Sequence, residues 1–82
     1  MSPTIFKIKN YRFYFFSKEE NRIHVHVISP VGEAKFWLEP TIALASYTGF
    51  STRQLSALQK IVERNKNEII KKWKKHFETG SN

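Results

Sequence analysis

Along most of the first 50 positions apolar and polar residues alternate, and beyond them the apolar positions recur at three- and four-residue spacing. The first pattern is that of strands and the second that of an amphipathic helix. In TIFKIK, Thr4 to Lys9, Phe6 and Ile8 fall on one side and Lys7 and Lys9 on the other. Asn10 offers a tight turn. The next run, YRFYFFS from Tyr11 to Ser17, sets Tyr11, Phe13 and Phe15 against Arg12, Tyr14 and Phe16, and aromatics this dense favour a strand with both faces at least partly covered.

SKEEN, Ser17 to Asn21, is a polar turn, and a third strand is expected from about Arg22 to Ile28. Alternation there sends Ile23, Val25 and Val27 to one face and His24 and His26 to the other, away from the core. Ser29, Pro30 and Gly32 supply the next turn, and EAKFWLE, Glu33 to Glu39, alternates Ala34, Phe36 and Leu38 with Lys35 and Trp37. Hairpin-length connections in succession imply an antiparallel meander. After Pro40, IALASY (Ile42 to Tyr47) suits a short fifth strand, although Pro followed by Ala and Leu also suits helical turns.

A helix should begin at Thr52. Ser51 is a good N-cap, Gln54 completes a capping box, and Phe50 with Leu55 forms a hydrophobic staple. Leu55, Leu58, Ile61 or Val62, Ile69, Trp73 and Phe77 then mark one apolar stripe, and Gly80 lies where a helix would stop. Thr52 to Glu78 would make 27 residues, or roughly 40 Å of helix. Strands of ordinary length span only about 17–20 Å, so part of such a helix must project, bend or pack on a partner. Asn65 interrupts the stripe and marks a kink or the end of the sheet contact.

The expected fold is therefore α+β: an antiparallel sheet of four or five strands over residues 1–50, followed by one long C-terminal helix over 51–79 packed on it. With 82 residues the chain is expected to be a single domain with one core between sheet and helix. No apolar run is long enough for a signal peptide or a membrane span, and there is no cysteine, which excludes disulfides, thiolate metal sites and a cysteine nucleophile. A cytoplasmic setting with no membrane contact is expected.

Charge changes the picture more than composition does. The net charge is +7, and a small domain with that excess attracts polyanions. Residues 1–50 carry six Lys or Arg against four Glu, whereas residues 51–82 carry eight against three. Lys66, Lys71, Lys72, Lys74 and Lys75 surround Trp73 and Phe77, making the end of the helix both the most basic and the most amphipathic stretch.

PTIF at Pro3 to Phe6, YRFYFFS, HVHV at His24 to Val27, EAKFWLEP at Glu33 to Pro40, GFS at Gly49 to Ser51 with Leu55 beyond it, and the closing Trp73 and Phe77 occur in an order that resembles the family catalogued as domain of unknown function 4160. These are small, mostly bacterial proteins. The resemblance covers nearly the whole chain and implies no established activity. Members are often encoded beside another small protein in an arrangement similar to toxin–antitoxin modules, which implies a partner protein. Members commonly carry Pro before the first His, where this chain has Ile23, so a regular strand is expected there in place of a rigidified loop.

Candidate chemistry centres on the histidines. His24 and His26 can act as general acid and base in metal-independent RNA cleavage, with Lys35 as the cation for the phosphate if the third and fourth strands pair about their turn. The bland alternative is that both imidazoles sit half-buried against Trp37 or Tyr14. A shared Zn²⁺ would need further ligands from His76, Glu33 or Glu39, and no spacing supports one. No metal or other cofactor is therefore expected.

Arg12, Tyr14 and Trp37 supply cations and rings for base stacking, and Lys71, Lys72, Lys74 and Lys75 can follow a phosphate backbone. RNA is a better fit than DNA, because the one long helix lacks a helix-turn-helix partner. The competing expectation is a non-enzymatic module, an antitoxin or regulatory partner, that docks on another protein or a second copy through Trp73 and Phe77. There is no glycine-rich phosphate loop and no serine, histidine and carboxylate pattern.

Overall fold

The computed structural model describes residues 4–15 and 22–79. Five strands, β1 (Thr4–Ile8), β2 (Tyr11–Tyr14), β3 (His24–Ser29), β4 (Gly32–Trp37) and β5 (Ala43–Thr48), form one antiparallel sheet in chain order. The alternation that marks these strands in the sequence is the alternation that the sheet realises, and Ile42–Tyr47 takes the strand option. The expected turn at Ser17–Asn21 lies outside the described residues, as do Pro3 and Phe16.

Short connections set the register. Ile8 pairs with Tyr11 across Lys9 and Asn10, with Lys9 in the left-handed region at φ 55°. Ser29 pairs with Gly32 across Pro30 and Val31, and the Ser29 hydroxyl accepts from the Val31 amide at 3.2 Å. At the end of β5 the chain crosses close to that hairpin. Gly49, at φ 82°, faces Val31 and Gly32 so closely that a Cβ would enter the Val31 carbonyl oxygen, which is why glycine stands there. Ile23 precedes the first residue of β3, yet its carbonyl accepts from the Leu38 amide at 2.9 Å, so the pairing of these two segments continues one residue beyond the strands.

The inward face collects Phe13, Phe15, Val25, Val27, Ala34, Phe36 and Leu38, all buried, with Phe6, Ile8, Tyr11 and Leu44 packed against them. The helical segment covers this face through Phe50, Leu58, Val62 and Ile69, and Trp73 at the end of the stripe reaches both Phe15 of this face and His24 of the other. Its start is as expected: Gln54 N–H donates to the Ser51 hydroxyl at 3.1 Å, and Ser51 N–H donates to the Gln54 side-chain oxygen at 2.8 Å.

The single long helix is not what forms. Helix α1 (Thr52–Arg64) and helix α2 (Lys66–Thr79) are separated at Asn65. Asn65 has φ −108° and ψ 15°, its amide is shared between the Ile61 and Val62 carbonyls, and its side-chain amide donates to Ile61 O at 2.8 Å. A polar side chain that bonds the preceding turn competes with the helical ladder and bends it. The ladder resumes when Ile69 N–H donates to Asn65 O at 2.9 Å. The break answers the length problem, because both halves of the stripe, Leu58 with Val62 and Ile69 with Trp73, return to the core. Among the described residues no helix is long and apolar enough to cross a membrane.

Candidate functional site

Strand pairing arranges the outward face of the sheet in lateral rows. Lys7, Arg12, Ile28, Glu33 and Thr48 are aligned across all five strands. The next row along is Tyr14, His26, Lys35 and Ser46. A third row holds His24, Trp37 and Ala43. One strand face therefore gathers cations, rings and hydroxyls within the distances over which directly opposed side chains interact. The expected pairing of His26 with Lys35 about the β3–β4 turn is present.

The two histidines differ sharply. His24 has no exposed surface, and the edges of three rings surround it: His26 at 5.1 Å, Trp37 at 5.6 Å and Trp73 of α2 at 4.9 Å. Its Nδ1–H donates to the Arg22 carbonyl at 2.6 Å, and since a carbonyl only accepts, that nitrogen carries the proton. His24 is a core residue of the outward face. Helix α2 brings Trp73 over the first position of β3, so His24, a candidate acid or base, has no surface at which to meet a substrate. His26 is half-buried and stacks on Tyr14, with centroids 5.3 Å apart and planes inclined by 22°.

Tyr14 and Trp37 also part company. Tyr14 is only 6% exposed, lies against His26 and has Arg12 over its ring at 5.7 Å, so it supports His26 and offers no open stacking surface of its own. Trp37 is partly exposed, with Arg22 over its ring at 4.2 Å and Lys35 at 4.4 Å. Arg22 is anchored in turn by donating to the Glu39 carbonyl at 3.0 Å.

Beside these rings a groove of about 250 Å³ runs over β3, β4 and β5, lined by His26, Glu33, Lys35, Ser46 and Thr48 together with Ala34 and Tyr47. The lining residues bring to it an imidazole, a carboxylate, an ammonium and the hydroxyl-bearing Ser46, Thr48 and Tyr47. Ser46 and Thr48 reach it because the register of β4 with β5 shifts between Lys35 and Phe36. Arg22, Ser46 and Thr48 carry no local signal in the sequence, and Glu33 stands out there only as a possible metal ligand. A two-residue turn at Pro30 and Val31 already implies that Glu33 lies beside Lys35 on the histidine face, whereas nothing local announces the bulge. Among the described residues no cluster of three or more His, Asp or Glu side chains is placed to hold a metal ion.

The basic helix forms a separate surface. Lys71, Lys74 and Lys75 are exposed on α2, and Lys72 pairs with Glu68 at 3.2 Å. Trp73, expected to dock on a partner, points the other way: it is 6% exposed and meets Phe15 edge-on at 5.3 Å. The break at Asn65 leaves Trp73 packed against this chain's own rings, Phe15 and His24. Phe77 lies on α2, its side chain outside the described part of the molecule.

The model of the family described as domain of unknown function, DUF4160, matches residues 10–74. The chain belongs to that family. No curated protein and no solved structure matches it. The DUF4160 match runs from the β1–β2 turn into α2 and contains every residue that lines the groove, as well as His24, Trp37 and Trp73.

Proposed function

We propose that this DUF4160 protein contacts single-stranded nucleic acid, RNA in preference to DNA, through the outward face of its sheet, as a component of a toxin–antitoxin-like module in the cytoplasm. The observation that carries this reading is the row Tyr14, His26, Lys35 and Ser46 beside Trp37, with Lys35 and Arg22 over the indole. Cations next to a partly exposed ring are what a flexible strand of nucleotides requires, one for the phosphate and the other for the base. Ser46, Thr48 and Glu33 add acceptors and donors suited to a 2′-hydroxyl, the group by which a protein distinguishes RNA from DNA. Lys7 and Arg12 continue the positive surface along the face, and Lys71, Lys74 and Lys75 add long-range attraction from α2.

The test is a salt titration of a fluorescent single-stranded RNA and its DNA counterpart. Three or four phosphate contacts predict a log–log salt slope of about −2 to −3. Trp37→Ala is expected to weaken binding by about 1–3 kcal/mol, the worth of one stacked base. Absence of binding to either strand at low salt would refute the reading.

A further inference from the structure

We infer that the groove is a metal-independent RNA-cleaving site in which Glu33 and His26 are the proton-transferring pair and Lys35 holds the phosphate. The inference rests on the RNA reading above and names its chemistry.

The sequence offers His24 and His26 as acid and base, but an imidazole with no exposed surface cannot meet a substrate, which removes His24. The fold supplies a replacement. His26 opposes Lys35 across the β3–β4 ladder, and Glu33 stands two residues from Lys35 on the same face. Glu33 is thus the diagonal neighbour of His26, about 7–8 Å away between backbones and within reach of long side chains. Lys35 is the direct cross-strand partner of His26 and stands two residues from Glu33 on β4. All three line one groove, opposite Ser46 and Thr48.

Cleavage of RNA by its own 2′-hydroxyl needs a base at that hydroxyl, an acid at the departing oxygen and a cation at the phosphate. Here the Glu33 carboxylate takes the 2′-hydroxyl proton as that oxygen bonds to phosphorus. Protonated His26 gives its proton to the 5′-oxygen as the phosphorus–oxygen bond breaks. The products are a 2′,3′-cyclic phosphate and a 5′-hydroxyl, with no water, oxidant or other reactant consumed. The Lys35 ammonium offsets the charge that develops on the non-bridging oxygens. The Ser46 and Thr48 hydroxyls are placed to bind the ribose or the phosphate.

The experiment uses a DNA oligonucleotide carrying a single ribonucleotide, incubated with the full chain in EDTA and analysed by denaturing gel and mass spectrometry. A cut at the ribonucleotide, leaving a 2′,3′-cyclic phosphate, is expected. His26→Ala and Glu33→Gln should each slow cleavage at saturating protein by about 10²–10⁴-fold, and binding of a 2′-O-methyl oligonucleotide by the unaltered chain is measured alongside. Lys60→Ala on α1, taken through the same purification, should cleave at the full rate. Circular dichroism establishes that each variant is folded. Binding of the 2′-O-methyl strand without cleavage of the ribonucleotide would overturn this inference and leave the proposed function standing, whereas loss of both would overturn both. Cleavage that EDTA abolishes, or that Glu33→Gln leaves intact, would also overturn it.

Discussion

The two faces of the sheet come from the same strands, and adjacent residues of β4 show how far they diverge. Phe36 points inward and has no exposed surface, at the centre of a packed layer of aromatic and aliphatic side chains. Trp37 points outward, partly exposed beneath Arg22 and Lys35. The inward face is held by exclusion of water from apolar area, which is non-directional and tolerates any well-filled arrangement. The outward face is held by register, because a cation meets a ring only where the strands are aligned to bring it there. Where its groups remain within reach of solvent and ligand, as at Trp37 and Lys35, a face of the second kind contributes little to stability and can serve recognition.

The largest effect is expected where this contrast is most direct. Phe36→Ala should destabilise the protein by about 3–5 kcal/mol, the transfer and cavity cost of a core phenylalanine. Trp37→Ala, one residue away, should cost only about 1–2 kcal/mol through its cation–π contacts while weakening RNA binding. Urea denaturation of both variants measures the difference, and equal losses would mean that the outward face is a second core.

The next prediction sharpens the contrast within one face. His24→Ala removes a wholly buried ring packed among Trp37, Trp73 and His26 and should cost about 2 kcal/mol or more. His26→Ala removes a half-buried ring stacked on Tyr14, a contact worth about 0.5–1.5 kcal/mol, and should cost less than His24→Ala. If His26 proved the costlier of the two in the same denaturation series, the division between a structural and an exposed histidine would fail.

The smallest effect belongs to the basic surface of α2. Lys72 and Glu68 form an i, i+4 pair at 3.2 Å with both side chains well exposed. Glu68→Gln should change stability by no more than about 0.5 kcal/mol, seen as a barely shifted thermal midpoint. A large change would place α2 among the parts of the molecule that depend on directed polar contacts.

Much of this architecture is legible in the chain. Period-two alternation locates the strands, and Asn10 and the Ser29–Gly32 segment mark two of the turns. Ser51, Gln54, Phe50 and Leu55 announce the start of α1 by local chemistry alone. These features depend on neighbours within four or five positions, so a linear reading can find them. The register that sets His26 opposite Lys35 also follows from a short turn. Asn65 stands out as a break in the apolar stripe, but whether a helix with such a break runs straight, kinks or stops depends on what the second half can pack against.

Sequence by itself therefore determined which residues share a face, where α1 begins, and that the chain carries a strong positive charge. Tertiary structure decided the rest. Alternation says that His24 and His26 point the same way, but only the return of α2 past the bend at Asn65 buries one under Trp73 and leaves the other beside the groove. In the same way, only the shift between Lys35 and Phe36 brings Ser46 and Thr48 to Lys35 and Glu33. Burial and the convergence of distant side chains depend on which surfaces meet in space. Trp73 and His24 are separated by most of the chain, and local pattern holds no information about such a meeting.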